Sequence, residues 1–242
     1  MTDLFLSGLA AHSSPPSRPF FSFLFYDASH QPYSFPPEDA VVPGSYDKSE
    51  INYAKLAMSP VLARALKSRY LNSLHYVDRQ IGRVVDGLRQ SGEWDRTILV
   101  VVGDHGEEFG ELGGFGHNTS FNRYQTQTLA LIRLPGAEPK VIDAITCHTD
   151  VVPTLLTSLG YTNDVRHYSV GLPLQRVLGN RQVTLGSWRS AALIGSESIT
   201  VFEPVRVAFY DHAYQDLPKN DPRRHKPDEI LAALAELKVF LK

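Results

Sequence analysis

Apolar positions along this chain recur with two different periods. Leu74, Val77, Ile81, Val84 and Leu88 step by three and four residues, which places them on one face of a helix. Ser59-Pro60 supplies the start signal, with serine as N-cap and proline at the first helical position, and Gly92 supplies the stop. Three short runs read differently. Phe20–Tyr26, Ile98–Val102 and Thr128–Leu134 are short and nearly continuous in apolar residues, so each is expected as a strand buried on both faces. Asp150–Leu156 opens another helix, with Asp150 as its expected cap and Gly160 at its end. Strands alternating with helices predict an α/β fold of three layers, α/β/α, around a mostly parallel sheet.

The pattern changes after about residue 180. Val183–Trp188, Ala191–Ile194, Ser198–Phe202 and Val205–Tyr210 predict an antiparallel meander. Ile230, Leu234, Leu237 and Leu241 share a face of a closing helix, with Asp228 and Glu229 at its start and Lys238 and Lys242 at its end, as the helix dipole favours. The expected organisation is therefore a core over residues 1–178 and a small antiparallel subdomain over 179–242.

Composition narrows the class. Among 242 residues, 43% are hydrophobic and the net charge is −2, which is ordinary for a globular protein and offers nothing to nucleic acid. The lone Cys147 rules out an internal disulfide and reads as a core residue. No apolar run approaches the ~18 residues of a membrane span. Leu4–Leu9 is a short apolar stretch preceded by Asp3 where a signal peptide wants a cation, so it reads as the end of a helix.

Chemistry concentrates in Val102-Gly103-Asp104-His105-Gly106-Glu107-Glu108-Phe109-Gly110-Glu111, followed by Gly116-His117-Asn118. Asp104 and His105 directly follow a predicted buried strand, at the end where open α/β sheets hold their ligands. A carboxylate beside an imidazole suits a divalent cation, zinc or manganese more than calcium. Glu107, Glu108 and Glu111 read as a hydrated loop edge, Asp78 as a buried polar contact and His148 as a structural histidine.

The segment from Arg69 to Asn118, RYLNSLHYVDRQIGRVVDGLRQSGEWDRTILVVVGDHGEEFGELGGFGHN, resembles the helix–strand–loop signature of sulfatases and phosphoethanolamine transferases in the alkaline phosphatase superfamily. His148–Tyr161 resembles a later helix of those families, and Pro19–Pro36 their preceding strand and histidine loop. The resemblance implies a partial alkaline-phosphatase-like fold, with Asp104 and His105 as ligands of a divalent metal. It implies that His117 and His30 contact the sulfuryl or phosphoryl oxygens of an anionic ester substrate.

In those families the nucleophile belongs to an N-terminal half, in a Cys/Ser-x-Pro-x-Arg motif or as a threonine. This chain is read as lacking such a motif, and accordingly as a C-terminal half, with the missing N-terminal half as its partner. Thr119 and Ser120 are the hydroxyls beside His117, with no family support as nucleophiles. The resemblance points to the bacterial periplasm or the outer face of the inner membrane. The competing reading is a non-catalytic, membrane-associated envelope regulator or lipid-head-group binder that reuses the fold.

Overall fold

Proline at the first turn and a serine cap start the longest element where the sequence places it. In the computed structural model, Ser59 Oγ accepts the Leu62 amide hydrogen at 3.3 Å, and the helix runs Pro60–Gln90. Gly92 follows its end with φ +73°, a left-handed conformation that side chains other than glycine resist. The structure describes residues 1–12, 18–45, 59–177 and 179–239.

In chain order the helices and strands are α1 (Thr2–His12), α2 (Pro60–Gln90), β1 (Leu99–Val102), β2 (Glu108–Phe109) and β3 (Phe115–Gly116). Then come α3 (Arg123–Thr126), β4 (Ala130–Arg133), α4 (Val151–Ser158), β5 (Val183–Gly186), β6 (Ala191–Ile194), β7 (Ile199–Phe202), β8 (Val207–Tyr210) and α5 (Pro227–Glu236). β1 pairs with β4 and β2 with β3, while β5 to β8 form one four-stranded sheet in sequential order. The chain divides into two compact units. One comprises Met1–Leu99, Glu108–Phe115 and Arg133–Gly136; the other comprises Val100–Glu107, Gly116–Ile132 and Ala137–Lys242.

In the first unit, Leu9 of α1 packs with Val84 and Leu88 of α2, joined by Phe5, Leu24 and Trp94. Tyr33, Leu66 and Phe109 form a second cluster. Phe20–Tyr26 was expected as a strand buried on both faces, and it is not one. Phe21, Phe23 and Phe25 are exposed, whereas Leu24 reaches the α1–α2 cluster. An apolar run becomes a strand only where a neighbour satisfies its backbone groups, and none does so among the described residues. Asp78 and Leu74 are also exposed, because α2 buries Arg69, Asn72, Ser73 and Gln80 instead.

The second unit holds the antiparallel sheet. Its register pairs Val183 with Ile194, Ala192 with Val201 and Val201 with Ala208. Ala192, Ile199, Val201 and Ala208 are buried with Phe121 in one core cluster. Each valine or isoleucine taken fully from water there contributes roughly 1.5–3 kcal/mol. Helix α5 ends at Glu236; Leu241 and Lys242, expected in its last turn, lie outside the described residues. Asp150 does not cap α4 with its side chain. It is buried and takes both Arg181 guanidinium nitrogens, at 2.6 and 2.7 Å, together with the Cys147 and Leu172 amides. Cys147 is half-buried rather than core.

Candidate functional site

Strand β1 delivers the chain into a loop that two close backbone approaches hold in place. The Gly103 amide donates to the Leu129 carbonyl at 3.1 Å, and the Gly106 amide to the Gln125 carbonyl at 3.0 Å. A Cβ on Gly106 would stand 2.1 Å from the Tyr124 carbonyl oxygen, so only glycine fits. Gln125, on the short helix α3 capped by Asn122, is buried. Its side-chain oxygen accepts the Thr119 and Ser120 amides, which ties down the loop after His117. Nothing in the local sequence marked Gln125 for this role.

His105, Glu107 and His117 converge, with one potential ligand atom from each lying within 4.8 Å of the others. The imidazole rings of His105 and His117 face each other at 3.8 Å between centroids. His105 Nδ1 lies 2.8 Å from the Gly106 carbonyl oxygen, and His117 Nδ1 lies 2.7 Å from Glu107 Oε2. A carbonyl or ionised carboxylate only accepts, so each Nδ1 carries the proton. In the neutral rings the lone pair is then on Nε2 of both. That tautomer is the one in which metal-binding histidines are held when the other ring nitrogen has a fixed acceptor.

Asp104 is 79% exposed at its side chain. Its Oδ2 lies 3.5 Å from His105 Nε2, on the lone-pair edge of that ring, while Oδ1 accepts the His105 amide at 3.0 Å. Glu107 is only 7% exposed. The expectation of hydrated loop glutamates therefore fails three times. Glu107 holds His117, Glu108 accepts the Leu112 and Gly114 amides, and Glu111 bonds Lys67 and the Phe109 amide. The spacing Glu107-x9-His117 spans a glycine-rich loop, so its meaning depended on how that loop folds.

The other sequence candidates have contacts of their own. His30 belongs to the first unit and is exposed, with Nδ1 3.0 Å from the Gln31 carbonyl. His148 places Nε2 2.7 Å from the Gly103 carbonyl, so its proton is on Nε2, and it serves the backbone of the site loop. Thr119 Oγ1 accepts from the Gln125 amide group, and Ser120 Oγ from the Asn122 amide; both hydroxyls brace the loop. The expectation that the chain carries no nucleophile motif also needs correction. Ser14-Pro15-Pro16-Ser17-Arg18 has the Ser-x-Pro-x-Arg spacing. Ser14 to Ser17 lie outside the described residues; Arg18 is exposed and its carbonyl lies 2.6 Å from His12 Nε2.

The family model described as sulfatase matches residues 1–161. An extracellular sulfatase homologue of Drosophila melanogaster is 29% identical over 200 residues, which cover 80% of this chain and 17% of that protein. An N-acetylglucosamine-6-O-sulfatase of Bacteroides thetaiotaomicron is 35% identical over 125 residues, 51% of this chain and 22% of the relative. A solved structure of a protein in the alkaline phosphatase superfamily from Vibrio parahaemolyticus superposes with a TM-score of 0.61 at 20% identity, covering 98% of this chain and 53% of that one. The chain thus has the expected partial alkaline-phosphatase-like α/β fold, and spans less than a quarter of the length of these two curated relatives.

Proposed function

This chain belongs to the sulfatase family, and on that premise we propose that its Asp104–His117 segment is the metal-and-anion half of a hydrolytic site for sulfate esters of saccharides. One observation carries the reading: His105 and His117, both with Nδ1 held by acceptors, meet Glu107 within 4.8 Å. A zinc-type ion takes imidazole and carboxylate ligands at ~2.0–2.2 Å, and His105 stands beside both Asp104 and the ring of His117. Asp104 and His105 would hold the ion, which when bound polarises the ester oxygens.

The remaining roles belong to side chains. Glu107 keeps the His117 proton on Nδ1 and orients the ring. In its neutral form His117 presents a lone pair at Nε2; protonated, it would present an N–H to a sulfuryl oxygen. The low exposure of Glu107 strengthens that ion–dipole contact by excluding water. The saccharide class rests on the relative named for N-acetylglucosamine-6-O-sulfate ester chemistry. The nucleophile is proposed to come from an N-terminal half, with Ser14 as the in-chain competitor.

Zinc, manganese and calcium titrations of the purified chain, followed by turnover of nitrophenyl sulfate with and without a co-expressed N-terminal half, test this reading. Saturable metal binding lost in Asp104→Ala, and turnover only with both halves, are the expected results. Turnover by the chain alone that disappears in Ser14→Ala would replace the two-half reading. No binding of any of the three metals would end the proposal.

A further inference from the structure

The β5–β6 hairpin turns through Ser187, Trp188, Arg189 and Ser190, a place where Asn-Gly or another small pair is the usual choice. Trp188 stands there 87% exposed. The turn is nonetheless fixed: the Ser187 amide donates to the Ser190 carbonyl at 2.8 Å, and the two serine hydroxyls lie 3.2 Å apart. Arg189 is exposed and enters none of the ion pairs among the described residues. These four residues, with Asn118 and Thr119, line one cleft of about 580 Å³. That volume is within the ~300–1,000 Å³ of small-ligand sites.

Asn118 and Thr119 immediately follow His117, and Gln125 holds this edge of the cleft in place. Asn118 adopts φ +64°, in the left-handed region. The cleft therefore combines a flat indole, an exposed guanidinium with no carboxylate partner among the described residues, and a rim of hydroxyl and amide groups. It begins one residue from the proposed anion contact. A pyranose ring has the complementary chemistry: an apolar C–H face for the indole, hydroxyls for the rim, and, when sulfated or carboxylated, a fixed charge for the arginine. A purely apolar ligand would make no use of Arg189, and inorganic sulfate would make none of the indole.

We propose that this cleft is the leaving-group subsite, that it takes an anionic saccharide, and that Trp188 and Arg189 determine its specificity. The proposal rests on the reading of His117 given above, so the test separates the two. Glucosamine 6-sulfate, glucosamine 2-N,6-O-disulfate and inorganic sulfate are titrated calorimetrically into the zinc-loaded full chain and its variants. Wild type should bind both sugar esters more tightly than inorganic sulfate. Trp188→Ala should weaken the sugar esters roughly tenfold, the effect of losing one apolar contact face, and leave inorganic sulfate unchanged. Trp188→Phe should retain most of the affinity. Arg189→Ala should erase the preference for the disulfate.

Equal binding of sugar ester and inorganic sulfate by wild type would overturn the subsite while leaving the metal-and-anion reading intact. So would a Trp188→Ala variant that binds the esters as wild type does. If zinc and inorganic sulfate do not bind at all, the earlier reading fails. The cleft is then judged by tryptophan emission: a saturable change with the disulfate, absent in Trp188→Ala, supports it, and no change overturns it.

Discussion

Two histidine–carboxylate pairs in this chain have nearly the same contact distance and opposite surroundings. His75 Nδ1 lies 2.9 Å from Asp39 Oδ1, and His117 Nδ1 lies 2.7 Å from Glu107 Oε2. Both carboxylates are buried and both histidines are partly exposed. Asp39, however, is also gripped by the Arg79 guanidinium through both of its oxygens. Arg79, with His75 adding to it, holds the Asp39 carboxyl below its ordinary value, against the opposing effect of burial. A guanidinium has no lone pair to offer a metal, so that cluster is a structural clasp between α2 and the segment before it. Glu107 instead looks onto a ring that faces a second imidazole, His105. Contact distance alone does not set one of these histidines apart; the charge and lone-pair character of the next group does.

The largest test of this contrast is metal affinity. His105→Ala should lower zinc affinity by more than about a hundredfold, since it removes a proposed direct ligand, and Glu107→Gln by no more than roughly tenfold, since Glu107 acts through His117, which faces the His105 ring without holding the ion. His75→Ala should leave it unchanged. Competition titration against a chromophoric chelator reads all three, and equal losses at His75 and His105 would dissolve the distinction.

A smaller effect should run the other way. Asp39→Asn should leave zinc binding alone and lower the thermal midpoint, by about 2–4 °C for each kcal/mol lost at this chain length. The sign with pH follows from the lowered carboxyl. Its contribution is complete above the ordinary value of 3.8 and disappears as pH falls through the lower folded value. Urea melts should therefore show wild type ahead of Asp39→Asn at neutral pH and the two converging in strong acid. A constant gap down to pH ~2 would assign the effect to packing instead.

The smallest expected effect concerns a third histidine, whose burial disfavours its charged form. His225 Nδ1 lies 2.7 Å from Thr200 Oγ1, and burial pushes its pKa below 6.5, with Glu229 opposing. Stability from this residue is complete above 6.5 and is lost as pH falls from there through the folded value. A His225→Gln variant should flatten the decline in stability between pH 7 and 5. Identical slopes in both proteins would show that the imidazole does not contribute.

Much of the architecture was legible along the chain because its signals are local. Ser59-Pro60 and Gly92 bracket α2, and the alternating segments after residue 180 became β5 to β8 within three residues of their expected bounds. The Asp104-His105 pair stood out for the same reason, since it directly follows a strand end in sequence. What failed were readings that needed a distant partner. Phe20–Tyr26 has strand composition, but a strand exists only when another backbone pairs with it.

Sequence by itself determined which residue types stand at the end of β1, and that two glycines let the backbone pass there. Tertiary structure alone decided that Glu107, rather than solvent, meets His117 across ten residues, and that Asp150 binds Arg181 across thirty-one instead of capping its own helix. The reason is physical. Backbone conformation is set by near neighbours, whereas the protonation pattern and burial of a side chain depend on which remote acceptor the folded chain brings within hydrogen-bond reach.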